Sequence, residues 1–261
     1  MSSPDPVIAA MRAEHDRLAV LVRTFDDAAL AGPSGAAEWD ISQVLSHLGS
    51  GAEIGRAILL AALGEGTRPE REEVEGIWQT WNDMTRRRRA DGFLQAGEAL
   101  VALYESLDAP TRESLRIEMG FLPAPVEVQV AARLRLSELA LHAWDVRAGL
   151  DPHPTLPPAT AAELLHGEPD MIGWIGRPAE GVRAVIKVTT TEPASVFALR
   201  LLDRISVDFD VPDEPDGTLT LPAEAWLRLV AGRLGPSHIP ADVVATGVAD
   251  LGLLRKVFPG Y

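Results

Sequence analysis

Apolar residues recur at helical spacing through the first 150 positions and at every second position beyond about residue 180. Val7, Ile8, Met11, Leu18, Leu21, Val22 and Phe25 follow a period near 3.6 and predict a helix from Val7 to Ala28. A second helix has a start signal in its sequence. Asp40 can cap it, Gln43 can reach back as in a capping box, and Trp39 can staple onto Val44. It runs through His47 to about Leu63 and stops at Gly64 and Gly66. A third helix is expected from Glu70 to Leu107, with a bend at Gly92 or Gly97, and a fourth from Val126 to Leu150, after Pro123 and Pro125. Four helices of this length predict a four-helix bundle, a fold that places metal sites between facing helices.

The segment from Asp151 to Pro158 is rich in proline and marks a domain boundary. One helix is expected from Ala159 to about Ile175. Then Val182 to Thr190, Ser195 to Leu201, Arg204 to Val211 and Gly217 to Leu221 alternate apolar and polar residues, the period of half-buried strands. A helix opens at Pro222 and carries Trp226, a last strand spans Ala241 to Gly247, and a short helix ends the chain. The fold class expected is therefore α plus α+β, with a helical bundle over 1–150 and a small α+β domain over 151–261.

Charge narrows the function. The net charge of -14 disfavours nucleic acid as a partner, because a basic surface supplies most of that affinity. The run from Arg86 to Arg89 is the exception, and its helical setting reads as a solvated face rather than a phosphate patch. With no cysteine, the chain has no thiolate of its own, so any thiol chemistry needs a thiol brought in by a small molecule. A polar start, Met1 to Pro6, and the lack of an apolar run of membrane-spanning length predict a cytoplasmic protein without a membrane partner.

Glu138 and His142 stand four residues apart in the apolar run from Val130 to Asp145, so both project from one helix face. A carboxylate and an imidazole there suit two ligands of a metal, and His47, on the other long apolar helix carrying a histidine, is the candidate for the third. Two nitrogens and one oxygen suit zinc with a position left open, and equally the facial triad of non-haem iron. Each residue alone reads more plainly as a core-edge polar group, but two helices presenting them among apolar neighbours favours a shared site. Asp145, one turn beyond His142, is either an acceptor that orients the imidazole or a surface charge near the helix end. His15, between Glu14 and Asp16, reads as a polar-face residue, and His153, His166 and His238 as surface residues.

The segment from Trp39 to Leu48, with His47, and the segment from Arg135 to Leu150, with Glu138, His142 and Asp145, resemble the DinB-like, mycothiol-dependent maleylpyruvate isomerase family. The stretch from Ala225 to Leu234 is similar to that family's second, sterol-carrier-like domain. The resemblance implies a divalent metal, usually zinc, on His47, Glu138 and His142, with mycothiol as thiol cofactor and a small-molecule substrate. It implies a cleft between the two domains to which an arginine of the second contributes, here Arg233; the plainer role of Arg233 is a helix-end charge that compensates the dipole. The implied reaction is isomerisation of a maleylpyruvate-like unsaturated acid. Thiolate would add to the activated double bond, the adduct would rotate, and the thiol would leave. A retained adduct would make the same site a mycothiol S-transferase, and a non-catalytic metal-binding or ligand-carrier protein is the further alternative.

Overall fold

The computed structural model describes residues 3–165, 167 and 169–260. The chain divides into two compact units, Met1–Asp151 and Pro152–Tyr261. The first contains α1 (Asp5–Val22), α2 (Asp27–Leu30), α3 (Ile41–Ala62), α4 (Arg71–Asn82), α5 (Arg86–Ser106), α6 (Ala109–Ser114), the two-residue strands β1 (Arg116–Ile117) and β2 (Val126–Glu127), and α7 (Val128–Ala148). Four long helices, α1, α3, α5 and α7, pack as a closed ring of neighbours, α1 on α5 and α7, α3 on α5 and α7. Leu18, Leu45, Leu48, Phe93, Leu136 and Trp144 are among the side chains removed from water between them.

The start of α3 forms as its sequence predicts. Asp40 accepts from the Gln43 amide at 2.8 Å while Gln43 Oε1 accepts from the Asp40 amide at 2.9 Å, a complete capping box. Three helix boundaries differ from expectation. The first helix stops at Val22, because Asp26 caps a separate short helix through the Ala29 amide. Val126 and Glu127 pair with β1 before α7 begins. The expected third helix is two helices, α4 and α5, with Thr85 as a new N-cap.

The last break has a packing reason. Trp81, near the end of α4, is buried with its indole laid against Gly49 of α3 and Gly92 of α5. A Cβ on Gly49 would stand 2.1 Å from that ring, and one on Gly92 2.9 Å. Gly92 and Gly97 are thus points of close approach and not bends, the second making room for the His15 ring. The arginine run that opens α5 is also not a plain solvated face. Arg86 pairs with Asp40 at 2.9 Å, Arg87 reaches the Phe25 carbonyl and Asp27, and Arg89 donates to the carbonyls of Trp81 and Asn82. These contacts tie the helix start to preceding segments and offset the cost of cations at a helix N-terminus.

The second unit contains α8 (Pro158–Leu164), α9 (Pro169–Ile175), β3 (Ala184–Thr191), β4 (Ser195–Leu201), β5 (Ile205–Asp208), β6 (Gly217–Pro222), α10 (Ala223–Val230), β7 (Val244–Gly247) and α11 (Leu251–Val257). The single helix expected from Ala159 to Ile175 is replaced by the pair α8 and α9; His166 lies outside the described residues. The sheet has the order β5-β4-β3-β6-β7, antiparallel except where β3 and β6 run parallel. Alternate residues such as Ile186, Val188, Leu219 and Leu221 turn to a core closed by Trp226 and Leu229 of α10 and Leu254 and Val257 of α11. Trp226 sits 5.1 Å from Phe197 and 6.3 Å from Phe258, ring to ring, both in edge contact. No helix among the described residues is long and apolar enough to cross a membrane.

Candidate metal centre

The four-residue spacing on α7 puts Glu138 and His142 on one face, and the contact of α7 with α3 brings His47 to them. His47 Nε2 stands 3.0 Å from Glu138 Oε2, and His142 Nε2 stands 3.7 Å from the same oxygen. The histidine rings meet edge to face with centroids 4.5 Å apart. One ligand atom from each of the three residues falls within 4.8 Å of the others. Residues 91 apart in sequence thus offer two nitrogens and an oxygen to one point.

What surrounds the trio orients it. Asp145 is completely buried, and its Oδ2 lies 2.8 Å from His142 Nδ1. The carboxylate accepts, so Nδ1 carries the proton and the lone pair of Nε2 faces Glu138 and His47. Of the two roles weighed for Asp145, burial excludes the surface charge. Arg135, one turn before Glu138, is half-buried and donates to the Leu48 carbonyl at 2.9 Å, fixing α7 against α3 beside the centre. Burial opposes ionisation of Glu138, but without a metal the hydrogen bond from His47, with the attraction of the protonated forms of His142 and His47 and of Arg135, outweighs it and pushes its pKa down to about 2.

Trp39 covers the histidines from the loop before α3, its ring 5.3 Å from His47 and 6.0 Å from His142. That loop is seated on α7 by glycine. Gly35 donates to the Asp145 carbonyl at 2.8 Å, and a Cβ there would meet Trp144 at 2.9 Å. Such a role for Trp39 has no signal in the local sequence, which reads as a helix staple.

Arg233 belongs to the second unit, in the turn after α10, where Gly232 takes a left-handed φ of 74°. It is partly buried and donates to the Ala231 carbonyl at 3.0 Å. His15, expected on a polar face, is buried, as is Glu14; of the three, Asp16 alone is exposed. His15, Asp16 and Glu98 also come within 4.8 Å of one another. There the Arg12 guanidinium already supplies the cation, bonded to Glu98 at 2.6 Å and to Glu105 at 2.7 Å.

A helical unit with two imidazoles and a carboxylate converging between its helices is followed by a mixed-sheet unit, and the donor set of the first suits a metal ion. The sequence profile of the mycothiol maleylpyruvate isomerase N-terminal domain matches residues 11–147, more than half of the chain, and the chain belongs to that family. It is 27% identical over 172 residues to an uncharacterised protein of Mycobacterium tuberculosis, found in strains CDC 1551 / Oshkosh and ATCC 25618 / H37Rv, covering 65% of this chain and 80% of that one. Two crystal structures of the mycothiol-dependent maleylpyruvate isomerase, one of them a histidine-to-alanine mutant, share the fold across 96% of this chain and 97% of theirs. Their TM-scores are 0.65 and 0.64, at 12% identity.

Proposed function

We propose that this protein is a metal-dependent enzyme that uses mycothiol to isomerise a maleylpyruvate-like unsaturated acid. The observation that carries the reading is the convergence of His47, Glu138 and His142, with buried Asp145 behind the second histidine. Family membership and the shared fold support it.

The donor set suits a divalent metal, and zinc is our assignment: two neutral imidazoles and a carboxylate, with the remaining position open, are typical of catalytic zinc. Such an ion lowers the pKa of a thiol brought to it, so that thiolate is present at neutral pH. His47, Glu138 and His142 would hold the ion, and Asp145 would keep His142 in the right tautomer. Trp39 packs beside both imidazole rings and limits how they turn. Thiolate adds to one alkene carbon of the conjugated acid, and the electron pair moves into the adjoining carbonyl system. Rotation about the former double bond and return of that pair expel the thiolate, so the cycle needs no oxidant and no net proton. Arg233 is our candidate for holding a substrate carboxylate, as a fork of two parallel donors.

The test is elemental mass spectrometry of the purified protein beside His47→Ala, followed by assay with mycothiol and maleylpyruvate. We expect about one zinc per chain, lost in the variant together with turnover. Absence of stoichiometric metal after zinc is supplied would overturn the mechanism. Accumulation of a mycothiol adduct in place of isomer would assign S-transfer to the same residues.

A further inference from the structure

Residues 33–40 run across α7 and end on the Asp40 cap that starts the helix of His47. The segment is braced from within. Pro33 and Asp40 bridge its two ends, Ser34 Oγ donates to the Trp39 carbonyl at 2.7 Å, and the Trp39 amide donates to the Ala36 carbonyl at 3.0 Å.

It is tied to α7 at a residue that already serves the centre. The last four carbonyls of a helix have no partner within it, and that of Asp145 is one of them, because the Gly149 amide is bonded to Arg147. The Gly35 amide takes this carbonyl at 2.8 Å. Asp145 thus holds the segment through its main chain and His142 Nδ1 through its side chain. Trp39, at the other end of the same segment, lies beside both imidazoles.

Two glycines let the backbones come this close. Gly149 has an ordinary helical φ of -73°, so no turn requires it; a Cβ there would stand 1.9 Å from the Pro33 carbonyl oxygen and 3.0 Å from its carbon. A Cβ on Gly35 would stand 2.9 Å from the Trp144 ring and 3.0 Å from Asp145 Oδ1. The obstacle at Gly149 is main chain, which cannot rotate aside as a side chain does. A methyl group at that position must lift the segment, and Trp39 with it.

We infer that Gly35 and Gly149 are positioning residues of the metal centre. They seat a strap that steadies Asp145, His142 and His47, so that seating of the strap and binding of the ion strengthen each other. The inference rests on the metal reading above. It can be tested from both sides, since whatever the seated strap adds to ion affinity the bound ion returns to the strap.

Cobalt(II) is the probe, because its visible bands report the geometry of its ligands. Its affinity for the full chain, measured against a chromophoric chelator, is expected to fall about tenfold in Gly149→Ala and severalfold in Gly35→Ala, with altered bands in both. Ser34→Ala, which removes a brace and adds no atom, should show a smaller loss. Gly92→Ala, overpacked against Trp81 and not against the strap, is the control: less stable, with native affinity and bands. In the native chain, hydrogen exchange at the Gly35 amide should slow severalfold on cobalt loading, while amides of the second unit keep their rates. Native affinity and bands in Gly149→Ala, equal losses in Gly92→Ala, or Gly35 exchange indifferent to cobalt would overturn the strap. If Gly149→Ala fails to fold, the exchange measurement and Ser34→Ala decide the matter. Failure of the metal reading looks different: the native chain itself would bind neither cobalt nor zinc, and the strap would have nothing to position.

Discussion

Asp145 reaches His142 across one turn of α7, its Oδ2 2.8 Å from the Nδ1 of the ring, and both residues are buried. Acceptors of this kind fix a ligand's tautomer and orientation, and their loss typically lowers metal affinity about 10- to 100-fold. Asp145→Ala removes the acceptor and is expected in that range, whereas Asp145→Asn keeps a neutral acceptor and should lose less. Competition with a chromophoric chelator measures both. Native affinity in Asp145→Ala would mean that the carboxylate serves the fold alone.

The niche around Trp81 predicts a ranking among glycine variants. Gly49→Ala drives a methyl group into a buried indole at 2.1 Å and should destabilise by about 1–3 kcal/mol or more; Gly92→Ala, at 2.9 Å, should cost less. Gly76 of α4 has nothing within 4 Å, so Gly76→Ala should stabilise by up to about 1 kcal/mol through helix propensity. Urea unfolding monitored by circular dichroism would give the order, and Gly49→Ala as stable as the native chain would refute the niche.

His15 predicts a pH dependence of stability. Burial pushes its pKa below the ordinary 6.5, opposed by Glu98 and Asp16 and assisted by Arg12 and Arg135. The folded chain therefore keeps the ring neutral where the unfolded chain has begun to bind a proton. Stability from this group is fully present above about pH 6.5 and declines as pH falls below it, with a limiting slope of about 1.4 kcal/mol per pH unit. His15→Leu should flatten the fall in unfolding free energy between neutral pH and pH 5. An unaltered slope would mean that other groups cause it.

Much of this was legible in the chain because helical spacing is rigid. Glu138 and His142 had to share a face, and Asp40 with Gln43 had to start a helix before His47. Where side chains from different helices meet was not legible. Nothing near Asp83 says that α4 must end there; the cause is Trp81 filling space left by Gly49 and Gly92 on two other helices. Glu14, His15 and Asp16 read as a polar patch, yet two of them are buried through partners far along the chain, Arg147 for Glu14 and the room at Gly97 for His15.

The second unit holds a buried ion pair that the sequence hid among ordinary i,i+4 charges. Arg228 is 2% exposed, and its Nε and Nη2 each stand 2.7 Å from an oxygen of Glu224, a bidentate pair within α10. The same guanidinium donates to the His238 carbonyl at 2.8 Å, and Glu224 also accepts from the Leu156 amide at 3.3 Å. Desolvation of two such charges consumes much of their attraction, so the pair adds little net stability, but removing one partner strands the other in the core. Arg228→Ala should therefore destabilise by about 3–5 kcal/mol, and Glu224→Gln by less because its amide oxygen can still accept. Replacing both, Arg228→Met with Glu224→Leu, should recover most of the loss, short of the bonds to Leu156 and His238. Equilibrium urea unfolding of the three variants checks the pattern. A double variant as unstable as Arg228→Ala would show that the arginine matters for its bond to His238 and its packing, and not for its charge partner.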